Sequence, residues 1–271
     1  MTDSAPDISV IVPSRLQARP GHRGALWLER ALETIAHQTY LKKSSIEVLI
    51  ALDAGVAAPT LPSSAISKHV RFVNASSDGK TGQAAAVNAA IAAIAGETIA
   101  MLEDDDAWKP TFLQTAVEVL TECDFVSSSQ MLVDQDGLPL EVMYFPTPSG
   151  WVMRRSLWEE IGGFNEKLQF HIDVEWIGRL NESRKRRVHL VESGFPLDRP
   201  FLEEHRRWLA HLAKGRKDPV RLFQHRSPVP LVIRTLNESG GTGRIRRKKE
   251  AGERSKKEMA TLRRRFGETP W

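Results

Sequence analysis

Short apolar runs alternate with helical patterns in the first hundred residues. The apolar runs, rich in β-branched residues, cover residues 8–13, 46–52, 70–73 and 98–102. Each run has the length of a buried strand. Between them, residues 25–38 carry apolar side chains at helical spacing, and residues 83–95 form an alanine-rich segment of high helix propensity. The alternation predicts an α/β fold with a mostly parallel central sheet that is sandwiched by helices.

The second half of the chain shows weaker signals. We expect residues 151–155 and 188–191 to form strands at the edge of the sheet. Residues 156–161 have the pattern of a short helix capped by Ser156. Residues 173–180 carry apolar side chains on one helical face. Short strands and helices are therefore expected to continue through this half.

The composition is that of an ordinary globular protein. Of 271 residues, 41% are hydrophobic and 27% are charged, which excludes a mostly disordered chain and a long coiled coil. The single cysteine, Cys123, excludes an intramolecular disulfide. No apolar stretch reaches the roughly 18 residues of a transmembrane helix. We therefore expect a cytoplasmic protein without a signal peptide or a transmembrane segment.

Basic residues are concentrated near the end of the chain. Residues 244–265 contain 11 basic and 3 acidic residues, whereas the rest of the chain has 27 basic and 31 acidic ones. This segment could contact a polyanion such as nucleic acid or an anionic membrane surface. Alternatively, it forms a solvated, salt-bridged helix with Glu250, Glu253 and Glu258 among its bases and Phe266 as a nearby aromatic residue. The residues alone leave both interpretations open.

Four consecutive acidic residues, Glu103, Asp104, Asp105 and Asp106, follow the apolar run at residues 98–102. In open α/β sheets, ligands bind beyond the carboxyl ends of the strands. Four neighbouring carboxylates repel one another unless a cation is present. Such oxygens suit Mg²⁺ or Mn²⁺ that is shared with substrate phosphates. The alternative is a solvated acidic turn at the start of the next helix.

Several short motifs follow one another along the chain. They are residues 8–13, Leu32 with residues 38–40, residues 47–55, Gly82 with Ala86 and Asn88, residues 102–110, residues 154–156 with 162–166, and residues 173–175. In this order they resemble the family-2 glycosyltransferases of the GT-A fold, which use nucleotide-diphosphate sugars. The resemblance covers residues 8–180.

The resemblance also implies a domain organisation. A GT-A glycosyltransferase domain is expected at residues 1–230, with a Rossmann-like nucleotide-sugar-binding half at residues 1–106 and an acceptor half at residues 107–230. A basic C-terminal extension is expected at residues 231–271.

The same resemblance assigns the donor-binding residues. It places Pro13 and Asp53 at the nucleotide base, with a UDP-sugar favoured; the alternative for Asp53, a turn residue beside Gly55, is the less favoured one. Lys80 would reach the base or the diphosphate unless it is a solvated loop lysine. Gln83 is a further candidate at a helix N-terminus, and Asp104 would face the ribose or a metal-bound water.

The metal and the catalytic base follow from the resemblance as well. Asp105 matches the family position that holds Mn²⁺ or Mg²⁺, with Glu103 beside it, and His225 or His205 is a further candidate near the metal. Asp173 matches the family's general base and could also be the N-cap of the helix that follows. A single base opposite a leaving diphosphate implies direct displacement with inversion.

The acceptor stays open at this stage. One hypothesis is a metal-dependent transferase that acts on a hydroxyl of a glycan or small molecule. Another is the same chemistry on a modified DNA base, guided by the basic residues 244–265. The third is a non-catalytic nucleotide- or glycan-binding protein of the same fold.

Overall fold

Twelve strands and seven α-helices lie in residues 5–21, 26–42, 44–61, 66–75, 82–195, 220–237 and 240–267, which this computed structural model describes. The strands are β1 (Ile8–Ser14), β2 (Ile46–Leu52), β3 (Val70–Asn74), β4 (Thr98–Met101), β5 (Ala107–Trp108), β6 (Phe125–Ser128), β7 (Gln130–Val133), β8 (Pro139–Met143), β9 (Val152–Arg154), β10 (Arg187–Val191), β11 (Arg221–Gln224) and β12 (Val232–Thr235). The helices are α1 (Trp27–Ala36), α2 (Gln83–Ala92), α3 (Phe112–Leu120), α4 (Arg155–Ile161), α5 (Ile172–Glu182), α6 (Gly241–Arg247) and α7 (Lys249–Phe266).

Eight strands form the central sheet in the order β11-β10-β6-β9-β4-β1-β2-β3. All pairs are parallel except those of β9, which runs antiparallel to both of its neighbours. In the middle of the sheet, Val10 of β1 lies opposite Val48 of β2 and Ala100 of β4. The prediction of a mostly parallel sheet is confirmed.

Two strands lie deeper in the sheet than the sequence indicates. Residues 152–154 form β9 between β4 and β6, and residues 187–191 form β10 between β6 and β11. All five residues of β10 are buried. The prediction that both segments are edge strands was therefore wrong, because their partners come from distant parts of the chain that a local pattern does not reveal.

Helices cover both faces of the central sheet. On one face, α1 and α3 bury Leu28, Ile35 and Phe112 in a core that includes apolar side chains of β1 and β2. On the other face, α2, α4 and α5 enclose a second core with the fully buried Trp151 and Trp176. This is the sandwich that the alternating pattern predicts, with a near-continuous apolar run in each central parallel strand.

Helix boundaries differ from the predicted ones by a few residues. The predicted segments 25–38 and 83–95 form helices over Trp27–Ala36 and Gln83–Ala92. The predicted cap at Ser156 was wrong, because α4 begins at Arg155 and its N-cap residue makes no side-chain hydrogen bond. No helix in the described part of the chain is long and apolar enough to cross a membrane.

A second sheet brings the later part of the chain back to the centre. Its order is β5-β12-β7-β8, and β12 pairs with β5, which directly follows the acidic turn. The division of the chain at residue 230 stays a prediction, but Val232–Thr235 is an integral strand of this sheet. Helix α7 then packs on the body, where Leu262 is buried and the Phe266 ring lies against Gly178.

Candidate active site

A cavity of about 500 Å³ opens at the carboxyl ends of β1, β2 and β4. The sequence-predicted residues that line it are Pro13, Asp53, Gln83, Glu103, Asp104, Asp105 and Asp173. Strand β12 and the segment that follows it add Arg234, Asn237 and Arg244 to the lining. The structure therefore brings together residues from both predicted halves of the domain and from the segment beyond residue 230.

Asp53 and Gln83 lie where β2 meets the start of α2. One carboxylate oxygen of Asp53, Oδ1, accepts a hydrogen bond of 2.7 Å from the backbone N–H of Gly82. Gly82 has a φ of +98°, a conformation that favours glycine. The Gln83 side chain donates to Glu103 Oε1 at 2.8 Å. These contacts tie the start of α2 to Asp53 and Glu103, and Asp53 Oδ2 has no hydrogen-bond partner among the described residues.

Asp104 is held by the end of β1. The Ser14 hydroxyl donates to its Oδ2 at 2.6 Å. Burial and the nearby charge of Glu103 raise the pKa of Asp104 to about 6, and the Ser14 hydrogen bond partly opposes this shift. Asp104 is thus positioned by the first strand, at the point where the acidic turn faces the cavity.

Asp106 also borders the cavity, but its hydrogen bonds join the acidic turn to the second sheet. It is 1% exposed, and its carboxylate accepts hydrogen bonds from the Ser149 hydroxyl and the Thr235 backbone N–H. Burial and the charge of Glu103 raise its pKa to about 7, while Arg234 favours its ionised form. Asp106 therefore anchors β12 to the acidic turn. The sequence alone did not distinguish this role from those of the other three acidic residues.

Asp105 lines the cavity in the middle of the acidic turn. Burial and the charges of Asp106, Asp104 and Glu103 raise its pKa well above the usual range. Its Oδ2 accepts a hydrogen bond of 3.0 Å from the Asn237 side chain. Hard oxygen donors with excess negative charge fit a divalent cation, whose charge would favour the ionised carboxylates.

Other metal-ligating groups do not converge on this turn. Among the described residues, no three Asp, Glu, His or Cys side chains form a typical metal cluster. A cation at Asp105 would therefore need further oxygen ligands from water or a bound phosphate, as protein Mg²⁺ sites commonly have. His225 does not line the cavity; it is buried beside Glu192, and burial lowers its pKa. Lys80 and His205 lie outside the described residues.

Asp173 occupies the first turn of α5. The helix begins at Ile172 with His171 as its N-cap residue, so the N-cap interpretation of Asp173 was wrong. Asp173 Oδ1 accepts a hydrogen bond of 2.8 Å from the Val174 N–H. Burial raises the pKa of Asp173, and the charge of Arg234 partly opposes this. The carboxylate therefore faces the cavity with Oδ2 lacking a hydrogen-bond partner among the described residues.

The loop before Asp173 is held by helix α7. The Glu258 carboxylate accepts hydrogen bonds from the backbone N–H groups of Gln169, Phe170 and His171 at 2.9, 3.0 and 3.4 Å. The His171 ring nitrogen Nε2 lies 2.8 Å from the Ser255 hydroxyl. Because Glu258 is 8% exposed, these charge-assisted bonds are well shielded from water. We refer to residues 169–171 as the base loop.

Two cavity residues, Arg234 and Asn237, were not anticipated from the sequence, and Arg244 was noted only as part of the basic segment. Arg234 lies near both Asp106 and Asp173, since its charge acts on the pKa of each. Asn237 contacts Asp105, and Arg244 stacks over the Phe170 ring with 5.8 Å to its centroid. All three come from beyond residue 230, and no local motif marks Arg234 or Asn237.

Comparison with known proteins agrees with this architecture. Residues 9–174 match the sequence profile described as Glycosyl transferase family 2. An uncharacterized glycosyltransferase of Nostoc sp., alr2836, is 34% identical over 135 residues, which cover 48% of this chain and 38% of that protein. YwdF of Bacillus subtilis, also an uncharacterized glycosyltransferase, is 26% identical over 59% of this chain and 64% of its own length. The chain thus spans less than two thirds of either relative.

Solved structures show the same fold. The mannosyltransferase PcManGT from Pyrobaculum calidifontis, in complex with GDP-Man and Mn²⁺, has a TM-score of 0.54 at 16% identity, covering 95% of this chain and 65% of that chain. S. aureus TarS 1–349 in complex with UDP-GlcNAc has a TM-score of 0.54 at 14% identity, covering 97% and 73%. The fold is that of the GT-A glycosyltransferases, and the chain belongs to glycosyl transferase family 2.

Proposed function

We propose that this protein is a metal-dependent, inverting glycosyltransferase that moves a sugar from a nucleotide-diphosphate sugar to a hydroxyl acceptor. The observation that carries the proposal is the placement of Asp105 and Asp173 on one cavity at the carboxyl ends of the central strands. A cation-binding carboxylate and a free carboxylate base are the two groups that such a displacement requires.

Asp53 and Pro13 are proposed to hold the nucleotide base of the donor. Asp53 Oδ2 can accept hydrogen bonds from a base because Oδ1 is already held by Gly82. Asp104 faces the ribose, and Gln83 and Lys80 are further donor-binding candidates. The complexes of PcManGT with GDP-Man and of TarS with UDP-GlcNAc support a nucleotide-sugar donor. Among nucleotides we favour UDP.

Asp105 would hold Mn²⁺ or Mg²⁺ on the side of the cavity that receives the diphosphate, with Glu103 next to it. A divalent cation at this position neutralises charge on the departing diphosphate. Asn237 orients the Asp105 carboxylate, and Asp106 fixes the turn to β12. The protein thus supplies a preorganised acidic turn on the sheet.

Asp173 is the proposed general base. Its Oδ2 accepts the proton of the acceptor hydroxyl while the acceptor oxygen forms a bond to the anomeric carbon. The bond between that carbon and the diphosphate oxygen breaks in the same displacement, and the nucleoside diphosphate leaves with its electron pair. With one base and no second carboxylate acting as nucleophile, the anomeric configuration inverts.

A thermal-shift panel tests the donor site first. UDP, GDP, dTDP, CDP and their sugars are each added with and without Mn²⁺. A ligand at about a hundredfold excess over its Kd stabilises by about 2.7 kcal/mol. We expect one diphosphate to stabilise the protein only with metal, and Asp105→Ala to abolish the shift. Stabilisation that is independent of metal and of Asp105 would contradict the proposal.

A further inference from the structure

A shallow hollow lies on helix α7 next to the active-site cavity. Its described lining residues are His171, Ser255, Lys256, Met259, Ala260, Arg263 and Arg264. His171 and Met259 also line the cavity itself. The hollow is therefore adjacent to the cavity, and the residue between them, His171, lies two positions before the proposed base Asp173.

The hollow has a strongly positive lining. Lys256, Arg263 and Arg264 are exposed, and no salt bridge neutralises any of them within the described part of the chain. The described lining contains no carboxylate. Glu258 does not offset these charges, because its carboxylate is buried on the base loop and paired with Arg254.

Positive charge continues from the hollow into the cavity. Arg244 and Arg246 of α6 line the cavity on the side of Met259 and the base loop. In contrast, the acidic turn places four consecutive carboxylates after the carboxyl end of β4. A negative group on the acceptor is thus favoured on the α6–α7 side. The charge of the donor's diphosphate would instead be neutralised by the cation proposed at Asp105.

Single-stranded nucleic acids stack their bases on aromatic rings. No Phe, Tyr or Trp belongs to the described lining of the hollow. Phe266, the aromatic residue of the basic segment, packs against Gly178, where an added Cβ would come within 2.6 Å of the ring. Base–aromatic stacking is a main contribution to single-strand binding. The lining therefore favours an anionic chain without bases.

We propose that this hollow binds an anionic saccharide acceptor, one that carries phosphate or carboxylate groups along its chain. Lys256, Arg263 and Arg264 hold the negative groups, and the hydroxyl to be glycosylated reaches Asp173 past His171. This inference rests on the proposed glycosyltransferase function and adds the acceptor class to it.

The test compares two triple variants of the full chain with equal loss of charge. One removes the hollow charges (Lys256→Ala, Arg263→Ala and Arg264→Ala). The matched control removes three exposed basic residues outside the lining (Lys248→Ala, Lys249→Ala and Lys257→Ala). The probes are three fluorescent oligomers of equal charge: phosphodiester-linked glucose, galacturonate and a single-stranded DNA. Binding is followed by anisotropy at two salt concentrations.

We expect the hollow variant to bind one of the two saccharide-type anions at least about tenfold more weakly than wild type, with the control within about twofold. Comparison of the glucose phosphate and galacturonate oligomers identifies phosphate or carboxylate as the recognised group. Three results would each overturn the proposal: equal weakening in both variants, no binding of either saccharide probe to the wild type, or tighter binding of the DNA than of both saccharide probes.

Donor binding separates this inference from the function on which it rests. Stabilisation by a nucleoside diphosphate with Mn²⁺ is measured in all three proteins. If the hollow variant keeps both its donor binding and the wild-type affinity for the saccharide probes, only the proposed acceptor site is refuted. If no nucleoside diphosphate stabilises the wild type, the glycosyltransferase proposal itself is refuted.

Discussion

The two carboxylates of the proposed mechanism are supported by different parts of the molecule. Asp105 lies in a turn directly after β4, and the adjacent Asp104 and Asp106 are bonded to β1 and β12. Asp173 follows a loop whose backbone donors go to Glu258, 87 to 89 residues further along the chain. The donor side thus depends on the sheet, and the base depends on the docking of the terminal helix.

Charge separates the two sides as well. The donor side concentrates carboxylates that raise one another's pKa, whereas the base loop faces α6 and α7, with Arg244 stacked over Phe170. A perturbation of the sheet turn should therefore affect metal and donor binding, and a perturbation of the helix should affect catalysis with donor binding intact. Four predictions test this distinction.

The largest effect is expected from removing the base. Asp173→Asn should lower kcat by about a hundredfold to ten-thousandfold, because the amide cannot accept the acceptor proton. Metal-dependent nucleotide binding, measured by calorimetry, should stay near the wild-type value. Asp105→Asn is the counterpart and should weaken that binding. Equal loss of donor affinity in both variants would show that the two sides are not separable.

A smaller effect is expected from the helix that holds the base loop. Glu258→Ala removes the acceptor for three backbone N–H groups and should lower kcat by roughly tenfold to a hundredfold, since small displacements of a catalytic group are costly. Glu258→Gln keeps an acceptor oxygen and should restore much of the rate.

The control for this positioning role is Glu253→Ala, an exposed glutamate on the same helix. It should leave kcat and the KM of the donor unchanged. A purely structural role for Glu258 would instead lower the Tm while kcat, measured well below that Tm, stays at the wild-type value.

The central strands and the acidic turn were within reach of the sequence because their signals are local. Apolar runs of strand length predict β1, β2, β3 and β4 within one or two residues. The acidic run directly follows β4, so its place at the carboxyl end of the sheet follows from the strand prediction. The donor side of the cavity could therefore be predicted from short, contiguous stretches of sequence.

The base loop was out of reach because its partners are distant. The local pattern around Glu258 is that of a solvated, salt-bridged helix, and the Arg254–Glu258 pair does exist at 3.1 Å. The pattern could not reveal that the same carboxylate is buried on residues 169–171. For the same reason, a local pattern singled out His225, which the fold places away from the cavity lining.

The pH dependence of catalysis should reflect the enclosure of Asp173. Burial raises the pKa of this carboxyl, and the base must be ionised, so kcat should fall as the pH falls through a pKa above the usual value of about 3.9. Arg234 favours the ionised form, so Arg234→Gln should move the acid limb of the kcat profile to higher pH by about one unit or less. An unchanged limb would mean that another group controls it.

The smallest effect concerns stability in the absence of metal. Burial and neighbouring carboxylates raise the pKa of Asp105 in the folded protein. The unfolded chain therefore loses this proton more easily, and stability decreases as the pH rises from the unfolded-state pKa of about 3.9 towards the folded-state pKa. Asp105→Asn removes this penalty while its amide oxygen can still accept the Asn237 hydrogen bond.

Asp105→Asn should therefore raise the Tm measured with EDTA at pH 8 by roughly 2–4 °C, which corresponds to about 1 kcal/mol, and the gain should vanish at pH values below the unfolded-state pKa. Asp136→Asn, at an exposed aspartate outside the acidic turn, should leave the Tm unchanged. A gain in both variants, or in neither, would mean that crowding of carboxylates does not destabilise the turn. The cation affinity of the donor side would then come from the geometry of its ligands alone. The difference in charge between the two sides would have no measurable effect on the free energy of unfolding.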